Sequence, residues 1–141
     1  MNTNSVINLI SGVNHRARKL IVRELKINNV EGIASSHGDI LANLFAHGPL
    51  CQTELSALIR REKNTTTVLI NKLEKHGYVS RSVCKEDKRK TIIELTQKGL
   101  SLEPVFSRIS KKLIETTYMD FSEKEKEQLT ALLSRAKQNL K

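Results

Sequence analysis

The sequence predicts a mainly α-helical fold with one small β-hairpin. Apolar residues recur at helical spacing along most of the chain, first over residues 5–28. After Gly77 the spacing changes, because residues 78–84 and 91–95 are rich in the β-branched side chains that are typical of short strands. The 141 residues contain no internal repeat and only two prolines, so we expect one integrated domain, residues 1–141.

Capping residues delimit the helices that precede the hairpin. Ser35 or Ser36 can cap a second helix, which is expected to end near His47. Two further helices are expected over residues 52–60 and 63–76, joined by a turn of only a few residues.

Two longer helices are predicted after the hairpin. Thr96 can cap a helix that runs through about Tyr118. Ser122 and Glu125 have the spacing of a capping box, which predicts the start of the last helix. The first and last helices are amphipathic, so both are expected to join a dimer interface. The alternative is that each helix covers the central part of its own subunit.

The net charge of +9 is concentrated in one part of the chain. Residues 60–98 hold 11 Lys and Arg side chains against 5 Asp and Glu side chains, a net charge of +6. A concentrated basic segment favours a polyanionic partner such as nucleic acid. Charge alone does not distinguish a nucleic-acid-binding surface from a basic face that is simply solvated. The order of the predicted elements within the segment distinguishes the two.

A short helix, a tight turn, a second helix and a basic hairpin follow one another in this segment, which predicts a winged helix–turn–helix. The turn near residues 60–63 is short enough to hold the two helices at a steep angle. The second helix begins with small polar side chains that can approach base edges, and its N-terminal amides favour a nearby phosphate. The alternative is that its threonines only cap the helix. The candidate DNA-contacting residues of this helix are Lys63, Asn64, Thr65, Thr66, Thr67 and Lys72.

The tip of the hairpin, residues 85–90, consists of six charged residues. Lys88, Arg89 and Lys90 are predicted to reach along the DNA backbone, and an arginine at this position can enter a narrow minor groove. Arg81, in the first strand, is a further candidate DNA contact. The alternative for the tip is a solvated, charged loop.

Four runs of residues in this region are the most distinctive. They are Gln52-Thr53-Glu54-Leu55, Leu73-Glu74-Lys75-His76-Gly77-Tyr78-Val79 with Arg81, Asp87-Lys88-Arg89, and Leu95-Thr96-Gln97-Lys98-Gly99. Together they resemble the MarR family of bacterial transcriptional regulators. The resemblance implies a DNA-binding lobe over about residues 35–99 and a helical dimerisation lobe built from helices over about residues 5–29 and 97–140. Members of the family are homodimers, usually repressors that bind pseudo-palindromic operators in double-stranded DNA, and many release DNA when a small anionic or aromatic effector binds.

The resemblance also implies roles for single residues. Arg89 matches the wing arginine that enters the minor groove, and Asp87 matches the aspartate that holds basic neighbours in place. Thr65 and Thr67 match recognition-helix positions that contact DNA. Val68 stands where many relatives have arginine, which argues against a bidentate guanine contact and leaves a thymine methyl group or the core as its expected neighbour.

A ligand pocket is implied by the resemblance alone, between the first two helices and the DNA-binding lobe. His15, Arg16 and His37 are the polar candidates for binding an effector there. The alternative is that the pocket is vestigial.

The two cysteines are interpreted as ordinary reduced thiols. Cys51 stands where many relatives have a capping threonine, and Thr53 or a bound water is expected to replace that cap. A redox sensor at Cys84, beside the cation of Lys85, is the alternative to an inert thiol.

Several function classes lack their characteristic residues. No metal-spaced His and Cys set, glycine-rich phosphate loop or nucleophile elbow occurs, so we expect neither an enzyme nor a bound cofactor or metal. No apolar run approaches the roughly 20 residues of a membrane-spanning helix, and the N-terminus lacks the pattern of a secretory signal peptide. We therefore expect a cytoplasmic protein without a membrane partner.

The leading hypothesis is a homodimeric, sequence-specific DNA-binding regulator that represses nearby genes and is relieved by a small-molecule effector. Three alternatives stay open: a winged-helix DNA-binding protein without ligand response, a non-specific architectural DNA binder, and a protein-interaction module that does not bind DNA.

Overall fold

Seven α-helices and three short strands form the part of the chain that the structure, a computed structural model, describes, residues 2–30 and 32–141. Contacts group the chain into two units, of which the first reaches Ile109 and the second is Ser110–Lys141. The elements in chain order are a 3-10 turn Thr3–Ser5, α1 Val6–Ile27, α2 Ser35–His47, β1 Leu50–Cys51, α3 Gln52–Ile59, α4 Lys63–Lys75, β2 Val79–Val83, β3 Thr91–Leu95, α5 Gln97–Leu100, α6 Glu103–Thr117 and α7 Glu123–Asn139.

The predicted fold class is confirmed: the chain is mainly helical, and its hairpin lies where the apolar spacing changes. Helices α1, α3 and α4 agree with the predicted segments to within one or two residues. None of the helices in the described residues is both long and apolar enough to cross a membrane.

The sheet has one strand more than the sequence predicted. Its order is β1-β3-β2, and both pairs are antiparallel. The additional strand β1 consists of Leu50 and Cys51, which pair with Ile93 and Ile92 of β3. Two residues are too short to show an alternating pattern, so β1 becomes visible only when the fold brings it beside β3.

A core of aliphatic side chains holds the helix–turn–helix in the first unit. Its fully buried members include Leu41 of α2, Leu55 of α3, Ile70 and Leu73 of α4, and Ile93 of β3. Because Ile70 and Leu73 enter this cluster from one face of α4, the helix is fixed in rotation about its own axis, and its opposite face is left to solvent.

The prediction that Ser35 or Ser36 caps α2 was wrong. The N-cap residue is Ala34, and the ring of His37 accepts a hydrogen bond from the Ala34 amide, with Nδ1 at 3.0 Å from the nitrogen. Ser35 is already helical, and its hydroxyl oxygen accepts a hydrogen bond from Arg18 Nη1 at 3.1 Å. The serine that sequence reasoning assigned to the cap therefore links α2 to α1.

The single helix predicted from Thr96 through Tyr118 is interrupted. Thr96 does cap a helix, because its hydroxyl accepts the Gly99 amide hydrogen at 3.1 Å, but α5 ends after one turn at Leu100. A new helix starts at Glu103, one residue before Pro104. Proline has no amide hydrogen and is tolerated only in the first turn of a helix, so it forces this break.

The second unit contains the end of α6 and all of α7. The predicted capping box is confirmed, since the Glu125 amide donates to Ser122 Oγ at 3.1 Å and Glu125 Oε1 accepts from the Ser122 amide at 2.9 Å. Hydrogen bonding from the Ser122 amide, and from the Ser122 side chain, favours the ionised carboxylate and lowers the pKa of Glu125. In the turn before α7, the rings of Tyr118 and Phe121 pack edge to face, with 5.5 Å between the ring centres.

Candidate nucleic-acid interface

The start of α3 lies beside a carboxylate. Cys51 is the N-cap residue, and its side chain makes no capping hydrogen bond. The thiol and the backbone amide of Cys51 favour the ionised form of Glu54 and lower the pKa of its carboxyl group. The expectation that Thr53 or a bound water replaces the cap stays a prediction.

A left-handed residue makes the tight turn between α3 and α4. Arg60 has φ 57° and ψ 47°, and the next amide, of Arg61, returns to the Ser56 carbonyl oxygen at 3.1 Å. This bond closes the end of α3 in the manner of a Schellman motif. Two residues later α4 begins at Lys63, so the two helices stay close together, as predicted.

The buried face of α4 includes one predicted DNA contact. Thr66 is 0% exposed, and its hydroxyl donates to the Glu62 carbonyl oxygen at 3.0 Å. A buried side chain cannot contact DNA, so the prediction that Thr66 is a DNA-contacting residue was wrong. The sequence spacing indicates this burial, because Thr66 precedes the buried Leu69 and Ile70 by three and four residues. Residues at this spacing lie on the same face of a helix.

The exposed face of α4 carries the other predicted residues. Lys63, Asn64, Thr65 and Lys72 are all exposed. Val68 lies among them and is 66% exposed, so it does not face the core. This face therefore offers small polar groups, two cations and one apolar side chain to an external partner.

Thr67 is tied to α3 by Gln52, which was not among the predicted site residues. Its hydroxyl donates to the Lys63 carbonyl oxygen at 2.9 Å and accepts a hydrogen bond from Gln52 Nε2 at 2.5 Å. The only hydroxyl hydrogen of Thr67 is thus used within the protein. Gln52, at the first position of α3, fixes the orientation of the recognition helix.

Arg81 braces the hairpin against α4. Its Nη1 donates to Glu74 Oε1 at 2.8 Å and its Nη2 to Asn71 Oδ1 at 2.6 Å. The Arg81 side chain is 25% exposed. Although Arg81 stays a predicted DNA contact, its observed bonds join β2 to the last turns of α4.

The wing tip is organised around one aspartate. Asp87 Oδ1 accepts the Arg89 amide hydrogen at 3.0 Å and Arg89 Nε at 3.2 Å, and the Asp87 carbonyl oxygen accepts the Lys90 amide hydrogen at 3.0 Å. The bonds from Arg89 stabilise the carboxylate and lower the pKa of Asp87. The Arg89 side chain is nevertheless 92% exposed, so its guanidinium pairs with Asp87 and still lies at the surface.

The base of the wing is clamped to the end of α4 by the turn into α5. The Thr96 amide donates to the Tyr78 carbonyl oxygen at 3.0 Å, and the Thr96 hydroxyl donates to the Gly77 carbonyl oxygen at 2.5 Å. Lys98 Nζ donates to the His76 carbonyl oxygen at 2.7 Å and lies 4.8 Å from the Tyr78 ring centre. These bonds fix the direction in which the hairpin leaves the core.

The three candidate ligand residues occupy different environments. His15 and Arg16 are exposed on α1, whereas His37 is only 8% exposed and uses Nδ1 to cap α2. Arg18, rather than Arg16, makes the polar contact with α2, through Asp39 Oδ2 at 3.4 Å. No contact described in residues 2–30 and 32–141 joins the three candidates, so their common site stays a prediction.

A hollow of about 300 Å³ lies elsewhere in the first unit. It is lined by side chains from the end of α2, from β3 and from the α5–α6 region. The lining residues are Leu44, Phe45, Gly48, Pro49, Glu94, Leu95, Leu100 and Glu103. Sequence reasoning did not anticipate this hollow, because its lining comes from three separate segments.

Burial and neighbouring charges lower the pKa of His37. Desolvation has the largest effect, followed by the cation of Lys72 and by His76, both at the end of α4. We expect the melting temperature to fall as the pH is lowered through about 6.5, the ordinary pKa of histidine, because the unfolded chain then binds a proton that the folded chain resists. Protonation of Nδ1 would also remove the acceptor of the Ala34 amide.

Melting curves between pH 7.5 and 5.5 measure this effect. The variant His37→Gln stays neutral and keeps an acceptor for the cap, so its melting temperature is expected to depend less on pH than that of the parent. The same pH dependence in both proteins would contradict the assignment to His37.

Neither cysteine belongs to a metal site in the described part of the chain. Cys51 is a buried free thiol in β1, and Cys84 is a half-buried free thiol after β2. Across residues 2–30 and 32–141, no three His, Cys, Asp or Glu side chains are arranged so that they could hold a metal ion.

Comparison with known proteins identifies relatives along most of the chain. A family model described as MarR family matches residues 33–91. The HTH-type transcriptional regulator YwoH of Bacillus subtilis is 30% identical over 127 residues, which are 88% of this chain and 90% of that protein. The HTH-type transcriptional regulator SarZ of Staphylococcus haemolyticus is 41% identical over 68 residues, so the match spans 48% of this chain and less than half, 45%, of SarZ.

A solved structure extends the likeness to the whole fold. The crystal structure of an S. aureus MepR–DNA complex has a TM-score of 0.84 and 26% sequence identity, over 99% of each chain. The relatives that match in sequence are transcriptional regulators rather than enzymes. The chain therefore belongs to the MarR family, a non-enzymatic family of helix–turn–helix transcriptional regulators.

Proposed function

We propose that this protein is a homodimeric, sequence-specific DNA-binding regulator that represses nearby genes. The observation that carries the proposal is the bracing of the wing on the recognition helix by Arg81, which bonds to Glu74 and Asn71. Two exposed elements, the face of α4 and the wing tip, are thereby held in a fixed relation. DNA offers a matching pair of targets, a major groove and the minor groove beside it.

Charge and similarity support the same function. Residues 60–98 carry a net charge of +6, and the exposed cations Lys63, Lys88 and Lys90 can neutralise phosphates. MepR, which shares the fold and 26% of its sequence with this chain, was solved in complex with DNA. Because the proposed target is DNA, we also propose that the protein acts in the cytoplasm.

Selection from a random pool of duplexes by the intact protein tests the proposal. We expect one pseudo-palindromic sequence to be enriched, with half-sites about one helical turn, roughly 10 bp, apart. Uniform affinity for random duplexes would instead favour the architectural DNA binder. Absence of binding at moderate salt would leave the protein-interaction module.

Exposed apolar side chains in each unit support the homodimer. In the first unit, Val6, Ile7, Leu9, Ile10 and Val13 of α1 are between 41% and 60% exposed. In the second unit, Ile114, Leu132 and Leu133 are at least 39% exposed. Soluble monomers rarely expose apolar patches of more than a few hundred Å², so we propose that a second copy covers these faces.

A charge on the apolar stripe of α1 is expected to weaken the dimer. The parent should have twice the 16.0 kDa chain mass in sedimentation equilibrium, and Ile10→Asp should shift it towards the monomer, because an unpaired carboxylate would be buried in the interface. The matched control is Asn8→Asp, which adds the same charge near the same end of α1, at an exposed position on the face opposite Ile10. A monomeric parent, or equal effects of both variants, would contradict the proposed interface.

Relief by a small anionic or aromatic effector is part of the proposal and rests on membership of the family. His15, Arg16 and His37 stay the predicted ligand contacts. His37 is the buried one of the three, and its Nδ1 accepts the Ala34 amide hydrogen at the start of α2. A ligand that displaced His37 would therefore disturb the start of α2.

A further inference from the structure

The centre of the exposed face of α4 is apolar. Val68 is 66% exposed, and the residues one turn before and after it, Asn64 and Lys72, are exposed as well. On a helix that is expected to enter the major groove with its N-terminal half, Val68 lies on the same face as the residues that approach the base edges. A single exposed valine is common on protein surfaces, so its neighbours must show whether this one serves recognition.

The polar neighbours of Val68 are largely committed to other contacts. Thr66 is buried, and the Thr67 hydroxyl donates its only hydrogen to the Lys63 carbonyl oxygen. Asn71 Oδ1 accepts Arg81 Nη2 at 2.6 Å, which turns this amide towards β2 and occupies one of the two lone pairs of its oxygen. Base reading around Val68 is therefore left to the valine itself, with Asn64 and Thr65 at the start of the helix and Lys72 one turn after it.

We propose that Val68 is a specificity-determining residue and that its isopropyl group packs against the C5-methyl group of a thymine in the major groove. This inference rests on the proposed DNA-binding function. Thymine is the only base of unmodified DNA that presents a methyl group in the major groove, and apolar side chains recognise it there. A valine in this place selects thymine over cytosine through shape and burial, without a hydrogen bond.

Removal of single methyl groups from DNA tests the contact. The probe is the duplex enriched from the random pool, in which each thymine of a half-site is replaced in turn by deoxyuridine. For the parent protein we expect one position per half-site at which this replacement weakens binding about fourfold, the effect of burying one methyl group. In Val68→Ala the same replacement should have almost no effect, because the partner of the methyl group is gone.

The matched control is Val83→Ala, in which an equally exposed valine, 61% exposed at the end of β2, is truncated. It should keep the fourfold dependence on the thymine methyl. Both valines are on the surface, so neither variant is expected to unfold, and melting curves check this.

The inference and the function on which it rests fail in different ways. If the parent binds the enriched duplex but no thymine methyl matters, or if the dependence survives in Val68→Ala, the role of Val68 is refuted while DNA binding stands. If the selection enriches no duplex at all, the proposed function falls and the inference falls with it.

Discussion

Replacing Gly99 by alanine is expected to lower the free energy of unfolding by about 3 kcal/mol, because an added β-carbon would collide with the backbone carbonyl oxygen of Tyr78. That oxygen is the acceptor of the Thr96 amide, and the Gly99 amide donates to Thr96 Oγ1. Backbone cannot move aside as a flexible side chain can. Relief of the clash would therefore separate α5 from the base of the wing and break both bonds.

Urea unfolding followed by circular dichroism measures the change. Gly38→Ala is the matched control, since Gly38 is also a buried helical glycine, but its added β-carbon would lie 3.6 Å from the ring of Phe106, an ordinary van der Waals contact. We expect this control to be neutral or to stabilise by up to about 1 kcal/mol, the helix propensity gained over glycine. Equal stabilities of the two variants would show that the Tyr78 carbonyl does not constrain position 99.

The elements with a repeated local pattern could be predicted from sequence. Helix α4 lies within a residue of its expected bounds, because Leu69, Ile70 and Leu73 repeat at helical spacing and Gly77 follows. The hairpin followed from the change of period. The helical spacing and the change of period both lie within a short stretch of sequence, so they can be recognised without knowledge of the tertiary structure.

The features that were missed depend on a single residue or on a distant partner. Strand β1 exists because Leu50 and Cys51 meet β3, more than forty residues later in the chain. The break before α6 follows from Pro104, whose effect outweighs an otherwise continuous helical pattern. At α2, the buried ring of His37 caps the helix in place of two nearby serines, which no composition rule anticipates.

The sequence predicted which segment forms the candidate interface more reliably than it predicted which side chains of that segment face outwards. Three successive threonines point in directions about 100° apart on a helix, so they cannot share one role. The structure separates them: Thr65 is exposed, Thr66 is buried and Thr67 is held by Gln52. Sequence reasoning gave all three the same function because it did not apply the helical phase set by the buried leucines.

Replacing Arg89 by alanine is expected to weaken binding to the enriched operator at least tenfold without unfolding the protein. The Arg89 side chain is 92% exposed, and Asp87 is the neighbour with which it pairs, so its loss removes little from the fold. In the proposed complex its guanidinium enters the minor groove, where the negative potential is strongest. Each dimer would lose two such contacts.

Binding measured over a range of salt concentrations separates specific recognition from loss of charge. Lys88→Ala removes one charge from the same turn and should reduce affinity less, with a similar decrease in the salt dependence. Arg89→Lys keeps the charge but lacks the planar guanidinium, and it should restore only part of the affinity. If Arg89→Ala binds as tightly as the parent, the wing does not reach the minor groove. If Lys88→Ala loses as much operator affinity as Arg89→Ala, the wing tip contributes to binding only through its charge.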